Sequence, residues 1–209
     1  MYIDYHTLKR RTIPNQYTMP WVNDDLDSLN GSCRFSVLDL RSEYYQVPMA
    51  QKDPEKTAFI CPLGFYQFNC MPQGVSGAPA RFQRPLEWVI ADIHLLKCLL
   101  YLDDIVVFER TLKNHEIQLC KFLDHLQEAG LKLSLDKCIF CQTSTRYVDH
   151  IVSAGGITTD PERVKVLTTS PRPTSLKELQ SYLGFYSYQH RFIKNFSHIM
   201  HALTEFTNG

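Results

Sequence analysis

The residues best suited to chemistry in this chain are two adjacent carboxylates, Asp103 and Asp104, which lie between the short apolar runs 98–102 and 105–108. Burial makes charge costly, and two close carboxylates repel, so one of them would take up a proton unless a cation compensates both. Hard oxygen ligands select Mg²⁺ or Mn²⁺ over zinc, and Mg²⁺ held by few carboxylates completes its shell with water and substrate phosphates. The alternative is a turn whose aspartates are simply solvated, since Asp is common in turns.

A second acid, Asp39, lies in another short apolar run, 35–40. Two acid sites carried on strands can converge on one pair of metal ions even when they are distant in sequence. Neighbouring side chains on a regular strand point to opposite faces, so Asp103 and Asp104 can serve one site only where the chain turns. The sequence therefore predicts a β-hairpin with the acid pair at its tip.

The acids need a scaffold, and the hydrophobic pattern predicts one. Amphipathic spacing, Gly and Pro stops and capping residues predict helices, whereas alternation between turn residues predicts strands. The predicted helices are a short one within 20–31, and others at 79–97, 114–129, 159–167 and from 175 onward; the predicted strands include a hairpin of 56–60 with 65–68, and 131–137.

Composition limits the possible functions. With 209 residues and 44% apolar content, the chain can bury a sizeable core. Its 22 basic and 22 acidic side chains cancel, so any nucleic-acid groove must be a local patch. Seven cysteines, several of them in apolar runs, indicate a reducing, intracellular setting, and Cys138-x-x-Cys141 lacks the second pair of a zinc finger. No apolar run of membrane-spanning length and no signal-peptide pattern occur, so no membrane partner is expected.

Ordered motifs add a family resemblance. The chain resembles the reverse transcriptases of gypsy-type long-terminal-repeat retrotransposons, part of a Pol polyprotein, and the motifs cover nearly all of it. The matching runs, in family order, are Phe-Ser-x-Leu-Asp-Leu-Arg-Ser-x-Tyr (35–44), Lys-Thr-Ala-Phe (56–59), Met-Pro-Gln-Gly (71–74), Ala-Pro-Ala-x-Phe-Gln (78–83), Tyr-Leu-Asp-Asp-Ile (101–105), Ala-Gly-Leu-x-Leu (129–133), Thr-Asp-Pro-Glu-x-Val (159–164), Ser-Leu-Lys-Glu-Leu-Gln-Ser-x-Leu-Gly (175–184) and Arg-Phe-Ile-x-Asn-Phe-Ser (191–197).

The resemblance implies an α+β fold, the right-hand polymerase palm, in which an antiparallel sheet is backed by helices. Residues 1–152 would form partial fingers and the palm, and residues 153–209 a small helical thumb or connection-like segment. The fingers would be truncated, because the two basic finger strands that precede this region in the family do not occur before Asp4. The ribonuclease H domain that follows in the family is not expected here.

The implied activity is that of an RNA-directed DNA polymerase, a nucleotidyltransferase that uses two Mg²⁺ or Mn²⁺ ions. Its partners would be an RNA or DNA template-primer duplex and deoxynucleoside triphosphates, and the oligomeric state stays open. By resemblance the residues divide into the catalytic and metal-binding acids Asp39, Asp103 and Asp104, the nucleotide contacts Leu40, Tyr44, Gln73, Gly74 and Lys137, and the primer-grip hairpin Tyr147, Val148, Asp149 and His150.

Tyr44 matches the aromatic gate that excludes a 2′-hydroxyl in the family, with a half-buried packing role as its alternative. Lys137 matches a lysine near the leaving pyrophosphate, or is an ordinary solvent-facing strand residue. The basic run 9–11 is either a template-phosphate contact or a solvated loop.

Several positions depart from the family pattern. Glu43 and Tyr45 replace the usual Gly and His, and Asp149 replaces a turn Gly, although Asp tolerates the left-handed region better than most residues. Glu43 adds an anion beside an anionic substrate, unless it is a solvent-facing edge residue. These departures keep a second function open, a non-catalytic retrotransposon-derived relic that binds nucleic acid or a protein partner, and they predict a weak polymerase as an isolated chain.

Overall fold

The structure is a computed structural model, and it describes residues 3–13, 17, 22–92, 97–101, 104–188 and 190–205. Its helices are α1 (His6–Arg11), α2 (Val22–Ser28), α3 (Ala78–Val89), α4 (Leu112–Glu128), α5 (Pro161–Thr169), α6 (Leu176–Tyr188) and α7 (Phe196–Glu205). Its strands are β1 (Arg34–Leu38), β2 (Phe59–Cys61), β3 (Gly64–Tyr66), β4 (Cys98–Tyr101), β5 (Asp104–Glu109), β6 (Ile139–Gln142), β7 (Ser144–Tyr147), β8 (His150–Ser153) and β9 (Gly156–Thr159). Three short 3₁₀ helices cover Glu43–Gln46, Pro54–Thr57 and His190–Phe192.

The central sheet has four strands in the order β4-β5-β1-β6, and each neighbouring pair is antiparallel. The apolar run of β5 explains its central position, because Val106 and Val107 point to opposite faces and are both fully buried. Helices α3 and α4 contribute Phe82 and Phe122 to the core on this sheet. The predicted antiparallel sheet backed by helices is therefore confirmed.

Both predicted hairpins are confirmed. Strands β2 and β3 pair from Phe59 with Tyr66 to Cys61 with Gly64, which leaves Pro62 and Leu63 as the turn. Strands β4 and β5 pair from Cys98 with Val107 to Tyr101 with Asp104. A third sheet has the order β7-β8-β9.

Two predicted elements differ from the structure, one in its end and one in its form. The helix predicted at 79–97 is confirmed as far as Val89, where α3 ends, and Ile90 leaves helical geometry with φ −109° and ψ 17°. Residues 93–96 of the prediction lie outside the described residues. The strand predicted at 131–137 is a single bridge of Leu133 to Leu40 followed by a turn. Its alternation fails at Leu135, which is 71% exposed.

The chain divides into two compact units. The first is Met1–Val148 with Val152–Gly156, and the second is Asp149–Ile151 with Ile157–Gly209. The second unit contains α5, α6 and α7, the helices of the region that the resemblance assigns to a thumb. That assignment of fingers, palm and thumb stays a prediction. Within the described ranges, no helix is long and apolar enough to cross a membrane.

Candidate active site

Strand register brings two of the predicted acids to one end of the central sheet. The antiparallel pairing of β1 with β5 ends at Leu38 opposite Ile105. The next residue at that end is Asp39 on the chain of β1 and Asp104 on that of β5. Asp39 is a quarter exposed and Asp104 is exposed, so both carboxylates reach solvent at this edge. Asp103 lies outside the described residues.

The carboxylate of Asp39 has a cationic partner. The Nζ of Lys137 donates to both Oδ1 and Oδ2 of Asp39, at 3.3 Å each. Lys137 lies in the turn that replaces the predicted strand, and a hydrogen bond of 3.0 Å from its backbone N–H to the carbonyl of Ser134 closes that turn. The structure thus brings Lys137 to the acid site by a turn rather than by a strand.

Tyr44 lies in the 3₁₀ helix Glu43–Gln46 and is half-buried rather than part of a strand. Its ring packs edge-on against Phe82 of α3, with 5.7 Å between ring centroids. Leu40 is 2% exposed and belongs to the core, so its nucleotide contact, which stays a prediction, would have to come from its backbone.

The loop before α3 carries Gln73 and Gly74. Gln73 is exposed, and Gly74 has φ +89°, a conformation that residues with a Cβ rarely adopt. A Cβ at position 74 would meet the ring of Tyr5 at 3.8 Å, which is ordinary contact, so backbone conformation rather than space favours glycine.

Cations line two adjoining cavities on the α1 and α3 side of the first unit. One, of about 530 Å³, is lined by Arg11, Lys56 and Arg81 and by one carboxylate, Asp53, which pairs with Lys56, together with apolar groups. The other, of about 660 Å³, shares Arg81 and adds Arg84, whose guanidinium lies 5.5 Å from the ring centroid of the exposed Trp88. These cavities are the kind of local basic patch that a neutral chain needs to bind phosphates.

The predicted primer-grip residues form the connection of β7 to β8. Val148 and Asp149 both have positive φ, +39° and +65°, so the turn forms with Asp in place of the family's Gly. The side chains of Tyr147 and His150 are buried, at 1% and 3% exposure. The primer-grip role stays a prediction, and at these two positions it would have to use the backbone.

Sequence reasoning missed a buried carboxylate, Asp25. It lies on α2, is 2% exposed, and accepts a 2.9 Å hydrogen bond from the hydroxyl of Tyr147. Burial raises the pKa of Asp25 to about 6, and the charges of Asp24 and Glu87 add to that rise, while the Tyr147 hydrogen bond opposes it. Burial and the nearby carboxylates of Asp25 and Asp104 raise the pKa of Tyr147 in turn.

Gln83 of α3 was also missed. It is fully buried, and its amide donates to the carbonyl of Leu100 at 2.8 Å and to Oε1 of Glu87 at 2.7 Å. The bond to Leu100 fixes α3 to β4, the strand that leads into the acid hairpin, whereas the bond to Glu87 lies within α3. The only feature of the sequence that singled out Gln83 was its position as the last residue of the family motif at 78–83.

The donor set fits a hard divalent cation, because Asp39 and Asp104 offer solvent-accessible carboxylate oxygens at one end of a rigid sheet. Among the described residues, no group of three or more His, Cys, Asp or Glu side chains forms a complete metal centre. The third predicted ligand, Asp103, is not among them.

A family model described as "Reverse transcriptase (RNA-dependent DNA polymerase)" matches residues 2–152. Two Drosophila melanogaster proteins are similar over essentially the whole chain: the retrovirus-related Pol polyprotein from transposon opus at 38% identity over 100% of the chain, and that from transposon gypsy at 35% over 99%. The chain spans about a fifth of the length of these relatives, 21% and 20%.

Solved structures show the same likeness. A foamy viral protease-reverse transcriptase in complex with double-stranded DNA matches with a TM-score of 0.87 at 25% identity, over 97% of this chain and 35% of that one. A second structure of that viral protein, also with double-stranded DNA, gives 0.85 at 25% identity, over 98% and 43%. The fold is thus that of a reverse transcriptase palm, as the sequence predicted.

Proposed function

The chain belongs to the reverse transcriptase family, and from that premise we propose that it is the RNA-directed DNA polymerase core of a retrotransposon Pol polyprotein. It would extend a DNA primer on an RNA or DNA template with deoxynucleoside triphosphates. The observation that carries the proposal is the register of β1 and β5. Their last pair is Leu38 with Ile105, so Asp39, which follows Leu38, and Asp104, which precedes Ile105, lie at the same end of the sheet.

In this proposal Asp39, Asp103 and Asp104 hold two Mg²⁺ or Mn²⁺ ions. Such ions, when bound, lower the pKa of the primer 3′-hydroxyl and offset the charge of the departing pyrophosphate. The protein itself orients the reactants and supplies negative ligands on a scaffold that does not have to reorganise. The fully buried strand residues beside the acids, Ile105 and Leu38, support that rigidity.

The nucleotide would lie against the loop of Gln73 and Gly74, with Tyr44 under the sugar and Lys137 toward the phosphates. The positive φ of Gly74 and the exposure of Gln73 support a close backbone approach to a ligand here. The primer would follow the turn at Val148 and Asp149. The cavities lined by Arg11, Lys56, Arg81 and Arg84 support phosphate contacts with a nucleic-acid strand.

A second candidate function is a non-catalytic relic that binds nucleic acid or a protein partner. Glu43, in the turn that carries Tyr44, favours it, because a carboxylate there opposes the binding of a triphosphate. Asp149 favours it for the same reason beside a primer phosphate.

Primer extension on an RNA template with Mg²⁺ or Mn²⁺, run beside Asp103→Asn, separates the two candidates. Weak extension that Asp103→Asn abolishes supports the polymerase. Tight binding of the template-primer with no extension at millimolar nucleotide would instead favour the relic.

We expect Tyr44→Ala to raise the use of ribonucleotides relative to deoxynucleotides, because removing the ring opens space where a 2′-hydroxyl would lie. The measurement is the ratio of kcat/KM for the two nucleotide types. Tyr45→Ala is the matched control, since that ring lies 5.9 Å from Phe68 rather than against Phe82. An unchanged ratio in Tyr44→Ala would leave the contact with Phe82 as a packing role only.

We expect Glu43→Gly to strengthen nucleotide binding by about tenfold. A like-charge contact near 4 Å costs on the order of 4 kcal/mol at an effective dielectric of about 20, and solvent screening reduces that substantially. The measurement is KM for the nucleotide at saturating template-primer, with Glu55→Gln as a control that removes an exposed carboxylate from the 3₁₀ helix Pro54–Thr57. Equal KM values for Glu43→Gly and the parent chain would contradict this explanation of weak activity.

A further inference from the structure

The ion pair of Lys137 with Asp39 occupies both oxygens of a proposed metal ligand. The two Nζ to oxygen distances are equal, 3.3 Å to Oδ1 and 3.3 Å to Oδ2, so the ammonium lies across the carboxylate rather than at one edge. A divalent cation on Asp39 would need at least one of these oxygens. Because two cations at one carboxylate also repel each other, the ammonium and the metal ion compete for the same place.

The turn that carries Lys137 is held to the backbone of Asp39. The N–H of Ser134 donates to the carbonyl of Asp39 at 2.9 Å, and the thiol of Cys138 approaches the same carbonyl at 3.9 Å. Leu133, one residue before Ser134, bridges to Leu40, one residue after Asp39. The backbone thus fixes the start of the turn beside Asp39, and the Cys138 thiol lies near the same carbonyl at its end. Only the lysine side chain has to move to open the carboxylate.

Solvent exposure allows that movement. The side chain of Lys137 is 62% exposed, whereas that of Asp39 is 25% exposed. A flexible ammonium near the surface can swing into water at little cost, while the carboxylate stays fixed at the end of β1.

From these contacts we propose that Lys137 is the resident counter-cation of Asp39 and is displaced when a divalent cation binds. Lys137 then sets a threshold for metal binding: the charge of Asp39 is compensated without metal, and the displaced ammonium is set free beside the acids as the ion arrives. This inference rests on the proposed function, because it takes Asp39 as a metal ligand.

The test is a titration of the full chain with Mn²⁺ in the absence of nucleic acid. The paramagnetic resonance signal of free Mn²⁺ measures how much of the ion is bound. Lys137→Met should tighten binding about fivefold, which corresponds to about 1 kcal/mol at 1.36 kcal/mol per tenfold. Lys132→Met is the matched control. Its exposed ammonium forms no ion pair within the described part of the chain, and it lies in the same connecting segment, so its affinity should change less than about twofold.

The outcomes are distinguishable. Equal affinities for Lys137→Met and Lys132→Met, or no Mn²⁺ binding by any variant at millimolar metal, would overturn the competition. Asp39→Asn tests the underlying assignment: if it binds Mn²⁺ as well as the parent chain does, Asp39 is not a ligand and the proposed function loses its main support. Tightening in Lys137→Met together with loss in Asp39→Asn would support both.

Discussion

Asp39→Asn is expected to lower the rate of primer extension by roughly 10³-fold or more, equivalent to about 4 kcal/mol of transition-state stabilisation at 1.36 kcal/mol per tenfold. The amide keeps the size of the side chain but removes the negative charge that a metal ion requires. Folding should change little, because Asp39 lies beyond the last paired residue of β1 and its partner Lys137 is largely exposed. The rate should be measured at saturating nucleotide, so that nucleotide affinity does not limit it.

Asp136→Asn provides the control for this loss. Asp136 is an exposed carboxylate in the turn beside Lys137 and accepts a 2.8 Å hydrogen bond from the hydroxyl of Ser134, which an Asn oxygen can also accept. Its extension rate should stay within about twofold of the parent rate, as expected for a surface substitution outside the site. Extension that survives in Asp39→Asn, with template-primer binding unchanged, would contradict the proposed role of Asp39.

The elements that carry the acids were predictable because each has a strong local signal. Strand β5 is a continuous apolar run, and β4 and β1 are short apolar runs next to acids, so the hairpin and the central strands follow from pattern alone. Helix α4 has amphipathic spacing and a stop at Gly130, whose φ is +70°.

The two differences between predicted and observed elements arose where tertiary structure overrides a periodic pattern. The apolar spacing continues past Val89 into Ile90, yet Ile90 is fully buried at the end of α3 rather than within a longer helix. Likewise, the alternation of 131–137 suited a strand, but Ser134 bonds to Asp39 and the following residues turn back toward it. The signal for that turn was a contact with a residue far away in sequence.

The site was predictable in its residue types but not in its pairings. The family resemblance matched Lys137 to a lysine near the leaving pyrophosphate. It gave no reason to expect that the Lys137 ammonium bonds to both carboxylate oxygens of Asp39. Asp25 carried no motif, and its partner Tyr147 is 122 positions away, so nothing local indicated a buried hydrogen bond between them. Side-chain pairs of this kind depend on how the elements pack.

Asp25 should make the stability of the chain depend on pH in a way that its neighbours do not. Its pKa is about 6 in the folded state, above the ordinary value of 3.8, because the carboxyl group is 2% exposed between α2 and the hydroxyl of Tyr147. Below about pH 4 both states are protonated and the stabilisation is fully present. As pH rises from about 4 through 6, the carboxyl group ionises more readily in the unfolded chain than in the folded one. Up to about 3 kcal/mol of the free energy of unfolding is lost over this range.

His115 gives an effect of the opposite sign. It is fully buried with its Nε2 2.7 Å from the hydroxyl of Ser36, and burial lowers its pKa below the ordinary 6.5. The stabilisation of the folded state by neutral His115 is fully present above about pH 6.5 and is lost as pH falls through the folded-state pKa of this residue. Because His115 remains in both proteins, a comparison of the parent chain with Asp25→Asn cancels it.

The free energy of unfolding of Asp25→Asn minus that of the parent chain should therefore rise by about 2 to 3 kcal/mol between pH 4 and pH 7.5. The amide oxygen can still accept the hydrogen bond from Tyr147, so most of the change reports the missing charge. Urea denaturation at several pH values measures it. Asp124→Asn, which removes an exposed carboxylate of α4, is the control, and its stability difference from the parent chain should stay nearly constant with pH. A difference for Asp25→Asn that does not vary with pH would show that the folded chain holds this carboxylate ionised with Tyr147 as sufficient compensation.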